Sequence, residues 1–304
     1  MTTVLLLVAV AIAAVIGVVY LAPARVLDMA ITAERRRSGL VARTIELPGG
    51  LRYAYLEGGH GEPLILLHGF GADKDNFARV AKFLTPHYRV IIPDHIGFGE
   101  SSHPPDADYR PTAQAERLQT LAQALGVGDV HLGGSSMGGQ IAMTWAALDP
   151  ARVKSLWLIG PAGIWSGPES ELGKVMRETG VNPLMASTTD EYAAVFRFVM
   201  ADPPFIPRPL LDVKAQERIG NQTLERRIFQ EIRSDNVEPR IAGLTIPSLL
   251  VWGELDRAIH PGTAEVLHRV LPASRVVIMP GIGHLPMLER PRESASAYLG
   301  FRTA

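Results

Sequence analysis

Five residues restrict the fold of this chain more than any others: Gly134-Ser135-Ser136-Met137-Gly138, a G-x-S-x-G sequence. The short run Val130–Gly134 leads into them and the apolar stretch Ser136–Leu148 leads out, so the pattern predicts a strand, a sharp bend and a helix. A serine at such a bend projects its hydroxyl above the sheet, and the flanking glycines relieve crowding around it. The helix beginning there turns its free N–H groups and its positive dipole end toward the same point. The two-residue spacing from each glycine selects Ser136, not Ser135, as the candidate nucleophile.

The rest of the chain supplies a sheet to carry that bend. Val41–Leu47 and Leu51–Glu57 flank the turn signal Pro48-Gly49-Gly50 and read as an antiparallel hairpin. Pro63–Leu67, Tyr88–Pro93, Val153–Ile159, Ser248–Trp252 and Val276–Met279 read as further strands, being too short for helices. Helical stretches fall on Asp73–Leu84, Thr112–Leu125, Pro261–Val270 and Arg290–Phe301. This alternation predicts an α/β fold, a mostly parallel sheet flanked by helices. Residues 161–243 break the rhythm with Pro183, Pro203, Pro204, Pro207 and Pro209 and no clear strand. They read as a helical cap inserted between two parts of the sheet domain, 39–160 and 244–304. Phe196, Met200 and Phe205 in the cap are candidates for binding an apolar substrate, although packing between cap and sheet is the commoner use of any one of them.

The N-terminal segment, 1–38, is of another kind. Val4–Ala22 is apolar and uncharged; as a helix it would extend about 28 Å, close to the roughly 30 Å hydrocarbon core of a bilayer. With no polar face it predicts an N-terminal transmembrane helix rather than a globular one. Ala22-Pro23-Ala24 has the form of a cleavage site, but the run lacks a positive n-region and exceeds a usual h-region, so an uncleaved anchor is expected. Pro23–Ser38 predicts a juxtamembrane helix, expected as a solvated spacer, with an interfacial or dimerising role as the alternative. Small residues in the apolar run make a homodimer through the anchor a further expectation. Arg25, Arg35, Arg36 and Arg37 all follow the run, which by the positive-inside rule puts the body of the protein in the cytoplasm.

An acid and a base are expected downstream of the serine, in that order. Asp256 stands just beyond the strand Ser248–Trp252, and His284 stands in the loop Gly281-Ile282-Gly283-His284 beyond Val276–Met279. Both are strand C-terminal ends, where open α/β sheets collect their active sites. Glu254 is the rival of Asp256, whose plainer use is as a turn or capping residue. His68-Gly69-Phe70-Gly71 follows Pro63–Leu67 and predicts an oxyanion hole from the backbone N–H groups of Phe70 and Met137; His68 itself reads as structural. In this scheme His284 takes the Ser136 proton, Asp256 orients the imidazole, and the two N–H groups stabilise an oxyanion. The absence of cysteine excludes disulfides, thiolate nucleophiles and Cys-ligated metals, and no metal ligand is assigned. A net charge of −1 offers no basic field for nucleic acid.

Several stretches carry a resemblance: His68–Asp75, Asp94-His95-Ile96-Gly97-Phe98-Gly99-Glu100-Ser101, Gly134–Gln140, Gly160-Pro161-Ala162-Gly163, Trp252–Asp256, and Gly283-His284 with Glu289-Arg290-Pro291. Together they resemble the α/β-hydrolase superfamily of serine hydrolases. More narrowly, the chain is similar to membrane-anchored monoacylglycerol lipases and to bacterial family V lipases, including membrane-bound phospholipase A. The resemblance implies an α/β-hydrolase fold with cap and anchor, and hydrolysis of lipid or other acyl esters. It implies Ser136, Asp256 and His284 as triad, Phe70 and Met137 as oxyanion donors, and no cofactor. It also implies a cytoplasmic-membrane enzyme facing the periplasm, against the basic flank; one weakly charged anchor is a poor test of a statistical rule, so the resemblance is preferred. Two alternatives stay open: a carbon–carbon bond hydrolase acting on soluble meta-cleavage products, and a non-catalytic ligand-binding receptor.

Overall fold

The computed structural model describes residues 1–303, with the side chains of residues 7–16 outside the described set. A single sheet is built from β1 (Leu40–Leu47), β2 (Leu51–Gly58), β3 (Glu62–Leu67), β4 (Tyr88–Pro93), β5 (Val130–Ser135), β6 (Val153–Ile159), β7 (Ser248–Gly253) and β8 (Ser274–Met279). Its strand order is β1-β2-β4-β3-β5-β6-β7-β8. Only β2 runs against the rest, pairing antiparallel with both β1 and β4; the remaining pairs are parallel.

The helices, in chain order, begin with α1 (Thr2–Leu21) and α2 (Pro23–Arg37). Flanking the first part of the sheet are α3 (Ala78–Ala81), α4 (Pro111–Ala124) and α5 (Met137–Leu148). The inserted segment holds α6 (Glu171–Thr179), α7 (Thr189–Val199), α8 (Arg208–Gly220), α9 (Gln222–Arg233) and α10 (Glu238–Ile241), without a strand. The chain ends with α11 (Thr263–Val270), α12 (Pro286–Glu289) and α13 (Pro291–Thr303).

The central strands are covered on both faces, which is why they read as unbroken apolar runs rather than alternating ones. Successive residues still divide between the faces. Ile65, Leu67, Leu132, Leu156 and Leu158 meet Leu118 and Leu121 of α4 and Ile141 and Trp145 of α5. Leu64, Leu66, Trp157 and Ile159 meet Phe77, Val80 of α3 and Tyr298 of α13.

Two expectations need correcting, and a third falls partly outside the described residues. Asp73–Leu84 is not one helix: Lys74–Phe77 is a 3-10 turn before the short α3. Asp73 caps it by accepting from the Asp75 N–H, and the Lys74 N–H is taken by Asp94 of the next loop, so the tight turn is held from outside. Pro23–Ser38 is not a solvated spacer, because α2 packs on β1, α3 and α8. Ion pairs Arg35–Asp75 and Glu34–Arg79 and a Thr85 hydroxyl bond to the Ser38 carbonyl fasten it. Among the described residues, no helix is long and apolar enough to cross a membrane. The expected spanning run covers residues 7–16, whose side chains lie outside the described residues.

Candidate active site

Ser136 sits at the end of β5 with φ 52° and ψ −118°, the sole positive-φ residue other than glycine among the described residues. Such a conformation costs about 1–3 kcal/mol and persists only where the surroundings over-determine it. Here its N–H donates to the Ile159 carbonyl at 3.0 Å, and its carbonyl accepts from Ala162 and Gln140 at 3.0 and 3.1 Å. The close approach of backbones explains the second glycine of the pentapeptide. A Cβ on Gly138 would lie 2.0 Å from the Leu67 carbonyl oxygen and 2.6 Å from that of His68. The first turn of α5 is thereby pressed against the end of β3 and the loop that carries Phe70. Among the described residues the N–H groups of Phe70 and Met137 donate to no protein acceptor, so both remain available to a ligand. Ser136 is partly exposed, whereas the Ser135 hydroxyl is buried without a partner.

The acid and base meet at the ends of β7 and β8. His284 Nδ1 lies 2.7 Å from Asp256 Oδ2, both side chains being almost fully buried. Asp256 Oδ1 accepts from the N–H groups of Ala258 and Ile259 at 2.8 and 2.9 Å. The carboxylate is therefore a turn residue and a partner of the imidazole at once, because its two oxygens face opposite ways. Asp256 needs a donor at Nδ1, which leaves His284 Nε2 as a proton acceptor. Glu254 points elsewhere, accepting from the Gly281 N–H at 3.0 Å on the surface.

Gly160 joins this pair to the serine bend. It follows Ile159, the acceptor of the Ser136 N–H, and has φ +46°. A Cβ there would stand 3.0 Å from Asp256 Oδ2 and 3.2 Å from His284 Nδ1. Among the described residues His284 bonds Asp256, and the Ser136 hydroxyl carries no hydrogen bond. Glu289 supports the histidine loop, taking the Gly283 N–H at 3.1 Å on one oxygen and the Ala201 N–H of the cap at 2.9 Å on the other.

The Phe70 loop rests on buried polar groups. His68 Nδ1 bonds the Gly69 carbonyl at 2.8 Å, and His68 Nε2 accepts from the His95 N–H at 3.1 Å. Accepting at Nε2 requires a neutral ring, and burial holds the His68 and His95 imidazoles below the usual histidine range. Both are structural, as read for His68. Lys74 Nζ and Asp94 Oδ2 form a buried pair at 2.7 Å, and Asp94 also takes the Lys74 and Glu100 N–H groups.

Of the three cap candidates, Met200 and Phe196 share one apolar cluster, and Phe205 stands apart from it. Met200 is buried and lines a cavity of about 570 Å³ with Ala201, Leu255, Asp256 and Arg257. Phe196 is half-buried between the two small apolar clusters of the cap. Phe205 is the correction: it is 92% exposed, on a Pro-rich stretch that leaves residues 203–207 outside any helix.

A second Ser–His–carboxylate chain exists elsewhere. Glu62 Oε2, His131 and Ser155 Oγ are linked at 2.9 and 2.8 Å, at the opposite ends of β3, β5 and β6. Ser155 is fully buried and shared with the Tyr298 hydroxyl, so no substrate reaches it. Among the described residues no group of three or more His, Asp or Glu could hold a metal ion.

This sheet, with its second strand reversed and a serine bend and an Asp–His pair at its carboxyl edge, has the architecture of an α/β-hydrolase, and the family and the named lipases it resembles support a carboxylic ester hydrolase. The chain belongs to the α/β-hydrolase family, whose model, described as alpha/beta hydrolase fold, matches residues 62–291. It is 44% identical to Lipase 1 of Psychrobacter immobilis over 278 residues, covering 89% of this chain and 86% of that protein. It is 30% identical to monoacylglycerol lipase abhd6-B of Xenopus laevis over 255 residues, 80% of this chain and 76% of the other. A crystal structure described as a membrane phospholipase A and bacterial virulence factor superposes with a TM-score of 0.90 at 38% identity, covering 100% of this chain and 98% of that one.

Proposed function

We propose that the protein is a membrane-anchored serine esterase that hydrolyses acyl esters of lipids, with monoacylglycerol, lysophospholipid or phospholipid as substrate, through an acyl-enzyme. Ser136 is the nucleophile, His284 the base that takes its proton at Nε2, and Asp256 the carboxylate that orients the ring and balances the imidazolium. The N–H groups of Phe70 and Met137 receive the oxyanion, each donor contributing on the order of 3 kcal/mol of transition-state stabilisation. The observation that carries this reading is the strained Ser136 backbone beside two unpaired N–H groups: strain of that kind is retained where it serves a site.

The anchor is the apolar run, which presents exposed Val4, Leu5, Leu6, Val18 and Leu21 around the residues outside the described set. The names of the relatives, lipases and a membrane phospholipase A, favour lipid esters over soluble ring-cleavage products. A single-pass anchor in the cytoplasmic membrane, a periplasmic body and a homodimer through the anchor complete the proposal. Removal of residues 1–22 should release the protein from membranes and lower turnover of vesicle lipids more than turnover of a soluble short-chain ester. Equal losses on both substrates contradict the anchor's role. A panel of monoacylglycerol, lysophospholipid, phospholipid and a meta-cleavage product decides the substrate class, and turnover of the last alone would overturn it.

A further inference from the structure

We propose that Arg35, on the helix next to the anchor, is a positioning residue for ester hydrolysis: through Asp75 it holds the loop that offers the Phe70 N–H. The proposal rests on Phe70 being an oxyanion donor. The loop Phe70–Asp75 leaves the end of β3 and is fastened from three directions. Arg35 reaches Asp75 with two parallel bonds, Nε to Oδ1 at 2.7 Å and Nη2 to Oδ2 at 2.6 Å, and both side chains are largely shielded from water. Asp75 returns its N–H to Asp73 Oδ1 at 2.9 Å, and Asp73 Oδ2 takes Lys214 Nζ of α8 at 3.0 Å. Lys74 between them is locked to Asp94 beyond β4. The backbone at Gly71 lies so near the Arg218 guanidinium that a Cβ there would meet Nη2 at 2.3 Å.

Of these fasteners, Arg35 is the one contributed from the N-terminal side. A bidentate guanidinium–carboxylate pair fixes orientation as well as distance, which a lysine ammonium does not. Packing does not replace it. A cavity of about 420 Å³ opens between α2, the loop and α8, lined by Leu27, Ile31, Ala72, Tyr192 and Val213 among others. Burial and neighbouring Asp73 raise the Asp75 carboxyl, and Arg35 opposes both. Without Arg35 the Asp75 carboxyl would stand beside that cavity facing Asp73 and without its guanidinium partner, and the Phe70 N–H a few residues earlier would lose its fixed aim. A donor misdirected in this way weakens the transition state while leaving substrate binding alone.

The test uses the full-length protein in detergent micelles with p-nitrophenyl butyrate. Arg35→Ala should lower kcat about tenfold with KM within about twofold of wild type, since misplacement of about 1 Å costs up to about 100-fold. Arg35→Lys should recover part of the loss, and Arg36→Ala, an exposed neighbour, none of it being lost, should match wild type. A kcat for Arg35→Ala within about twofold of wild type, or a loss confined to KM, overturns the proposal. If Arg35→Ala does not melt cooperatively, Asp75→Asn is judged by the same criteria. Ser136→Ala separates the two readings: wild-type turnover there refutes the underlying site, whereas a dead Ser136→Ala with an unaffected Arg35→Ala refutes only the role of Arg35.

Discussion

Gly160→Ala perturbs the proposed acid–base pair without replacing either partner. Gly160 has φ +46°, so an alanine there pays about 1 kcal/mol for the left-handed conformation. In a chain of this size that lowers Tm by about 2 °C. The added Cβ would also stand 3.0 Å from Asp256 Oδ2 and 3.2 Å from His284 Nδ1, inside the roughly 3.5 Å of ordinary contact. Neither partner can retreat freely, because Asp256 is tied to the N–H groups of Ala258 and Ile259 and the His284 N–H to the Val199 carbonyl. The pair must yield by about 0.3–0.5 Å, and with about 100-fold lost per 1 Å of misplacement, kcat should fall about 4- to 10-fold. Steady-state hydrolysis of a soluble ester, read beside a thermal melt, measures both effects. A melt lowered as expected with kcat untouched would refute the reasoning, since the disturbed pair would then have no part in the chemistry.

Three further outcomes follow from the same geometry. Ser136→Gly should be inactive yet more stable than wild type by about 1–3 kcal/mol, because it removes the positive-φ strain; a drop in Cm in urea contradicts that. Asp256→Asn should lower kcat by about 10⁴-fold, as expected for loss of the carboxylate that sets the tautomer, while Glu254→Gln stays near wild type; the reverse result exchanges the two assignments. The buried His68 and His95 have folded pKa values below the ordinary 6.5, so the unfolded chain binds protons that the native state refuses. Stability should therefore be complete above about pH 6.5 and fall as the pH drops below it, and equal urea midpoints at pH 7.5 and 5.5 would contradict neutral burial.

The bend at Ser136 and the pairing of Asp256 with His284 were legible because each residue stands in a local pattern whose backbone chemistry is readable. Glycines at two-residue spacing, a turn after an apolar strand and a Gly-flexible loop are such patterns. The strands were legible for the same reason, since sheets buried on both faces leave continuous apolar runs. What stayed hidden depends on contacts across the chain. Nothing local marks Arg35 as the partner of Asp75, forty positions on, or Glu289 as the acceptor for both Gly283 and Ala201. The tight turn at Lys74–Phe77 reads as a helix until Asp94 is placed beside it. Phe205 shows the opposite failure: an aromatic residue in an apolar cap reads as a substrate-binding candidate, and the prolines around it put it in solvent.

The most direct measurement is mass-spectrometric mapping of the adduct left by a fluorophosphonate ester, made on wild type and on His284→Ala. The account requires a single phosphonylated residue, Ser136, and its disappearance when the imidazole is removed. An adduct on another side chain, or one formed at an unchanged rate without His284, contradicts it.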